Sequence, residues 1–438
     1  MKKLFLLIGF LLMNISAYAE LNIDITGGKN EPIPIAISDF TGIPRAQEIQ
    51  DVLKNDLESS GLFRVINSAA YIQKVESVEQ TPDFQNWQVI NAHALIVANA
   101  NVAQDGQIQL NFRLWDVFER QSKLKSTIKL PSNEWRRLAH IAADKIYEQM
   151  TGDSGYFDSR IVYVSETGSF SKKVKRLAMM DQDGANHYYL TDGKTLVLTP
   201  RFAPSVQKIA YLSFDKGKPR IFIMDITTGI TEDLGHFDGM NFAPNFSPDG
   251  KKLLLSQVIK GNSEIFLYDL NTKKKSRLTN NIAIDTSPSF SPDGKRIVFN
   301  SDRASSQQLY VMDADGSNVK RISFGSKGSY ATPVWSPRGD YIAFTKIQNN
   351  TFYIGVMHPD GSGERLITEG FLVEGPTWSP NGRVLAFFKQ QGPNNEAGIA
   401  GPTGLYSIDI TGYNERYIPT PQDASDPAWS PLLSKKKM

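Results

Sequence analysis

The sequence has 438 residues, 40% of them hydrophobic and 21% charged, a formal net charge of +2 and no cysteine. Such a length suits two domains. The missing cysteine excludes disulfides, cysteine-held zinc and a lipid-modified N-terminus, and the near-neutral charge gives no electrostatic footing for nucleic-acid binding.

The first residues read as an export signal. Lys2 and Lys3 precede an apolar run, Leu4 to Met13, and Ala17-Tyr18-Ala19 is a small-x-small cleavage site. The run is too short to span a bilayer comfortably, so cleavage before Glu20 is expected and the product should be soluble outside the cytoplasm. Removing residues 1–19 takes away Lys2 and Lys3, leaving 46 basic and 46 acidic residues. The C-terminal Lys435-Lys436-Lys437 reads as a solvated end.

Residues 20–31 alternate Leu21, Ile23 and Ile25, then break at Gly27-Gly28. This is a strand-capable segment with a hinge, suited either to packing on its own domain or to adding to a partner's sheet. Residues 32–155 read as an α/β domain. "IPIAISDF" is a strand. "RAQEIQDVLKNDLESSG" is a helix with Ile49, Val52, Leu53 and Leu57 on one stripe and Gly61 at its end. "LFRVI" is a short strand, Asp105-Gly106 turns a hairpin, and "LKSTIKL" adds a third run. A second helix follows, with Ser132 as its expected cap and Leu138, Ile141, Ala142, Ile146 and Met150 as its buried stripe, ending at Gly152.

Across residues 156–434 the pattern changes to short strands. An aromatic-Ser-Pro phrase recurs, as in "FSPDGKK", "FSPDGKR", "WSPRGDY" and "WSPNGRV". Its prolines, Pro204, Pro248, Pro292, Pro337, Pro380 and Pro431, are 44, 44, 45, 43 and 51 residues apart. That period, with four strand-like runs in each repeat, is a propeller blade. The first repeat, from Arg160, lacks an initial strand. The last phrase, "DPAWSP", has no strand after it. A six-bladed β-propeller closed by its C-terminal strand satisfies both ends and removes two open edges.

Within each phrase the aromatic should pack between blades, Pro should end the strand, and Gly should take positive φ in the turn. Asp181-Gln182-Asp183-Gly184 and Asp313-Ala314-Asp315-Gly316 resemble partial calcium loops but lack the remaining ligands, and read as turns. Both turn types lie on one face of the disc. The more varied loops and the blade crossovers lie on the other, and recognition is expected there. Those crossovers carry Asp238, Asn241, Asp285, Thr286, Ser287, Tyr330, Thr332, Glu374, Asp423 and Asp426. Converging acidic groups leave a channel-bound calcium open as a cofactor, against the simpler reading of a solvated funnel. Otherwise no cofactor is expected.

Catalytic motifs are missing. His93, His140, His187, His236 and His358 are scattered and read as surface or loop residues. There is no H-E-x-x-H, no G-x-S-x-G and no phosphate-binding loop.

"LNIDITGG", "PIPIAISDF", "DLESSGLFRVI", "LTDG", the repeated "SPDG" blades and the terminal "PAWSP" together resemble the TolB family of the Tol-Pal system, in order over the whole chain. The resemblance implies a non-enzymatic periplasmic adaptor. It implies that the peptidoglycan-associated lipoprotein Pal binds at the channel mouth, and that the N-terminal segment engages the inner-membrane protein TolA during envelope constriction. Colicins are a further partner class. By the same resemblance the Pal site maps to Met240, Asn241, Asp285, Thr286, Ser287, Tyr330, Thr332 and Glu374. Thr286 matches a contacting threonine, Ser287 stands where some members are acidic, and a contacting histidine is replaced near Met240 or Asn241. The TolA segment maps to Glu20, Leu21, Asn22, Ile23, Asp24 and Ile25. The competing reading is a propeller enzyme with a channel metal, such as a lactonase-like hydrolase. A regulatory propeller of a peptidase is a further one.

Overall fold

The computed structural model describes residues 31–168, 172–215, 217–235, 241–324, 328–393 and 401–433. The N-terminal part is built on one mixed sheet of β1 (Ile33–Ile37), β2 (Thr41–Gly42), β3 (Phe63–Val65), β4 (Ala94–Val102), β5 (Ile108–Asp116) and β6 (Gln121–Leu130), in the order β3-β1-β4-β5-β6 with β2 against β4. β1 runs parallel to β3 and β4, and the hairpins β4-β5 and β5-β6 are antiparallel.

Alternation along the strands feeds two cores. Ile35, Ile37, Ile96 and Ala98 face the helices α1 (Ala46–Ser59) and α3 (Trp135–Thr151). Ala36, Leu95 and Val97 face the other side, where Trp87 of the one-turn helix α2 (Phe84–Gln88) closes a smaller core. The expected stripes of both long helices are buried, apart from Ile141, which is only partly covered. Gly61 and Gly152 take positive φ just past the helix ends. Ser132 does not cap α3. It lies in a separate 3-10 turn, Ser132–Glu134, and no side chain caps the helix start at Glu134.

Six four-stranded antiparallel sheets follow. Blade 1 combines Asp423–Trp429 with Arg160–Thr167, Val174–Asp181 and Tyr188–Tyr189. The closing strand is in register, with Trp429 opposite Ile161 and Ala428 opposite Val162. Ser430 N–H donates to the Arg160 carbonyl at 2.8 Å, and Arg160 N–H returns to Ser430 Oγ at 2.8 Å. The innermost strands of blades 2 to 6 are Leu196–Phe202, Asn241–Phe246, Asp285–Phe290, Ser329–Trp335 and Leu372–Trp378.

The repeated phrase has a local chemistry. Ser247 Oγ donates to Asp249 Oδ1 at 2.6 Å and accepts Lys252 N–H at 2.9 Å, and Ser291 does the same with Asp293 and Arg296. Gly250 and Gly294 take positive φ beside them. The serine thus satisfies a buried turn that the proline cannot.

The two parts share one core. Ala143, Ile146 and Tyr147 of the N-terminal part cluster with Tyr156 and Phe157 of the connecting segment and with Ile161, Tyr163, Phe388 and Trp429 of the propeller. The N-terminal part rests on the turn face over blades 1, 5 and 6. Asn381 Nδ2 donates to the Ser154 carbonyl at 2.8 Å, Asn414 Nδ2 to the Ser59 carbonyl at 2.7 Å, and Arg338 pairs with Asp153 at 3.2 Å.

Candidate functional site

Each innermost strand carries a bulge at the same level. The register slips at Leu198/Arg201, Phe242/Asn245, Thr286/Ser289, Ala331/Val334, Glu374/Thr377 and Ser425/Ala428. In five of these strands the residue before the bulge proline has positive φ: Thr199 at 47°, Ser287 at 53°, Thr332 at 45°, Gly375 at 67° and Asp426 at 49°. A β-branched residue in that region is strained. The positive φ recurs around the channel wall, so it belongs to the wall's design rather than to one blade. A proline two residues before every aromatic-Ser-Pro aromatic was the sequence signal for this ring.

The candidate residues fall into different layers of that wall. Thr286 and Ser287 are half-buried. Thr286 Oγ1 bonds Asn300 Oδ1 at 3.0 Å, and Ser287 N–H donates to Ser256 Oγ of the preceding blade at 3.1 Å. Thr332, also half-buried, shares a hydroxyl contact of 2.9 Å with Thr345. Glu374 is half-buried; burial, and then the nearby Asp426, push its carboxyl up. Burial also pushes up Asp426, against the pull of Arg201 and Lys175. The mouth is therefore rich in carboxyl groups that a cationic partner would favour in their charged form.

Asp285 and Tyr330 are enclosed in the wall. Asp285 pairs with Arg303 at 2.6 Å, and the Tyr330 hydroxyl donates to Glu364, which also holds Lys346 at 2.7 Å. Their side chains hold the mouth's shape. Asn241 opens the blade 3 strand opposite Gln257. Met240, and Glu20 through Ile25, lie outside the described residues.

The comparisons with known proteins fit this geometry. A family model described as the TolB beta propeller domain matches residues 147–433, and one described as the TolB amino-terminal domain matches residues 21–123. The chain is 53% identical to the Tol-Pal system protein TolB of Paramagnetospirillum magneticum, over 95% of this chain and 94% of that one. It is 47% identical to that of Gluconobacter oxydans, over 95% and 90%. The chain belongs to the TolB family. A crystal structure of TolB from Acinetobacter baumannii superposes with a TM-score of 0.82 at 28% identity, covering 92% of this chain and 97% of that one. This TolB-family chain is accordingly a non-catalytic component of the Tol-Pal system.

The turn face holds a feature that the repeat pattern concealed. His140, expected at the surface, is 1% exposed. Its Nδ1 lies 2.6 Å from Asp56 Oδ2 on α1, and its Nε2 faces Asp181 at 3.9 Å. Gln182 Nε2 donates to Asp56 Oδ1 at 2.9 Å, and Arg136 pairs with Asp181 and Asp183. The Asp181–Gly184 segment is a turn, as expected, and it is also the clamp that receives the N-terminal part. His140, Asp181 and Asp183 bring three metal-capable atoms within 4.8 Å, the one such trio among the described residues. Arg136 and Arg160 already pair with its two carboxylates, so the trio reads as a salt cluster. At the channel mouth the acidic groups are likewise committed in part, Asp285 to Arg303.

Proposed function

We propose that this TolB-family chain is exported to the periplasm, with residues 1–19 removed, and works there as an adaptor between two partners. Residues 20–31, the propeller over residues 156–434 and the α/β domain over residues 32–155 divide the work. Pal docks on the crossover face at the channel mouth, and TolA takes the N-terminal segment by strand addition.

The observation that carries the Pal reading is the ring of equivalent wall positions. Thr286 and Ser287 of blade 4, Thr332 of blade 5 and Glu374 of blade 6 stand at matching bulges and are half-buried, the first three held by inter-strand or inter-blade bonds. A preformed polar ring with strained, fixed backbone binds without a large ordering cost. Its acidic members, Glu374 and Asp426, favour a basic group on the partner.

Isothermal titration with purified Pal tests the site. Ser287→Trp, which puts bulk into the docking surface, and Glu374→Lys, which reverses its charge, should each weaken binding about tenfold or more while leaving the melting temperature close to that of the parent. Unchanged affinity in both would overturn the placement. For the other end, deleting residues 20–28 should abolish TolA binding and spare Pal binding. Equal TolA affinity after the deletion would remove the strand-addition reading.

A further inference from the structure

The propeller channel opens on the turn face as well, into a cavity of about 360 Å³. Its wall is a repeated apolar surface. The six turn prolines form the rim, and the phrase aromatics Phe202, Phe246, Phe290, Trp335, Trp378 and Trp429 line it. Volume and lining fall in the range of small-molecule sites. One charged residue reaches into it, Arg201, the residue after the bulge proline of blade 2.

Arg201 is under-partnered. Among the described residues its one hydrogen bond runs from Nη1 to its own Pro200 carbonyl at 2.8 Å, and no carboxylate lies within ion-pair distance. Burial pushes its guanidinium down, and the one opposing charge is the more distant Asp426. The corresponding wall residues in the other blades are Asn245, Ser289, Val334, Thr377 and Ala428, all neutral. A guanidinium offers five donors in a fixed fork that matches a carboxylate. Half-buried among apolar rings with one donor used, it favours an anion at short range more than a fully solvent-exposed arginine would.

We infer that the turn-face cavity is a binding site for an apolar monocarboxylate, its acid group forked on Arg201 and its hydrocarbon body against the proline and aromatic walls. The same chemistry is presented by a free aryl or alkyl acid and by the C-terminus of a peptide ending in an apolar residue. The cavity opens on the face away from the crossovers, while Arg201 itself lies at the edge of the bulge ring, with Asp426 of the mouth as its distant counter-charge.

Tryptophan fluorescence of the purified protein gives the test, because Trp335, Trp378 and Trp429 are in the wall. 3-Phenylpropionate should produce a saturable change. 3-Phenylpropanamide, the same shape without the charge, should bind about tenfold more weakly. Arg201→Gln should erase that difference. The amide comparison on the unaltered protein stands even if the variant folds poorly. Acetyl-Gly-Gly-Phe with a free or an amidated end separates the sources: preference for the free peptide acid points to a chain terminus, and response to the small acid alone points to a metabolite. No saturable response to either acid, equal response to acid and amide, or an acid preference that survives in a folded Arg201→Gln would overturn the site.

Discussion

His140 Nδ1 lies 2.6 Å from Asp56 Oδ2 with both side chains almost fully enclosed, and the pair is bolted to the propeller through Gln182 and Asp181. Burial alone would push the imidazole down. Asp56, with Asp181 and Asp183, overcomes this and holds the ring well above its usual value. Charge balance agrees: three carboxylates face Arg136, Arg160 and a protonated His140. Because the folded value is raised, this contribution is complete below about pH 6.5 and is lost as pH rises through the folded value. His140→Gln should therefore destabilise the protein most at pH 6 and least at pH 9, by about 3 kcal/mol at the acidic end, where Asp56 would be left without its cation. Thermal melts of both proteins across that pH range check it. A penalty independent of pH would mean that His140 is neutral in the fold.

Asp144 gives a second, separable pH dependence. It sits on α3 and accepts N–H groups from Phe157 at 2.7 Å and Asp158 at 3.1 Å, which fixes the segment leading into the propeller. Burial raises its carboxyl to about 7, against those two donors. Its stabilisation is therefore present below about pH 4 and lost as pH rises through about 7. Asp144→Asn removes that dependence. Between pH 5 and pH 8 the parent should lose about 3 kcal/mol relative to the variant, as measured by urea unfolding at each pH. Parallel curves would place the proton elsewhere.

Much of this arrangement is legible in the sequence, for a physical reason. The proline period and the orphan "DPAWSP" strand are local signals repeated often enough to define blades and closure. The alternation of Ile33 to Ile37 and the stripe from Ile49 to Leu57 are local too. What escapes is what depends on distant partners. His140 and Asp56 are 84 residues apart, and nothing beside either marks it as half of a buried pair. Arg201 looks like an ordinary strand arginine until the blades converge on it. α2 has five residues, too few for a helical period to register. At the channel mouth the crossovers could be located, yet Asp285 and Tyr330 look like surface groups from sequence and are enclosed because Arg303 and Glu364 meet them there.

Turn glycines carry more than backbone freedom. Gly361 has φ +89°, and a Cβ there would sit 2.0 Å from the Ile322 carbonyl oxygen of the previous blade. Gly106 has φ +78° with nothing within 4 Å. Both alanine substitutions incur the left-handed backbone cost of about 1–2 kcal/mol. Gly361→Ala should add an inter-blade clash and lose about 3 kcal/mol or more in all, while Gly106→Ala should stay near 1. Denaturant midpoints of the two variants, compared with the parent, measure the difference. Equal shifts would mean that the blades yield freely at this turn.

Closure of the ring makes the final prediction. Trp429 Nε1 donates to Ser159 Oγ at 2.8 Å, its backbone N–H donates to Thr377 Oγ1 at 3.1 Å, and its ring meets Tyr156 edge-on at 5.9 Å. One residue therefore joins the first blade to the last and both to the segment, Tyr156 to Ser159, that leads in from the N-terminal part. Trp429→Ala should cost about 3–5 kcal/mol, the usual loss for a large buried ring. Since the core runs unbroken from Tyr147 to Phe388, that loss should appear as one shifted transition rather than as a separate propeller melt. Following unfolding by far-ultraviolet circular dichroism, and by hydrogen exchange of amides in β4 and in Arg160–Thr167, decides between them. Propeller amides that exchange early while β4 remains protected would show that the shared core does not couple the two parts.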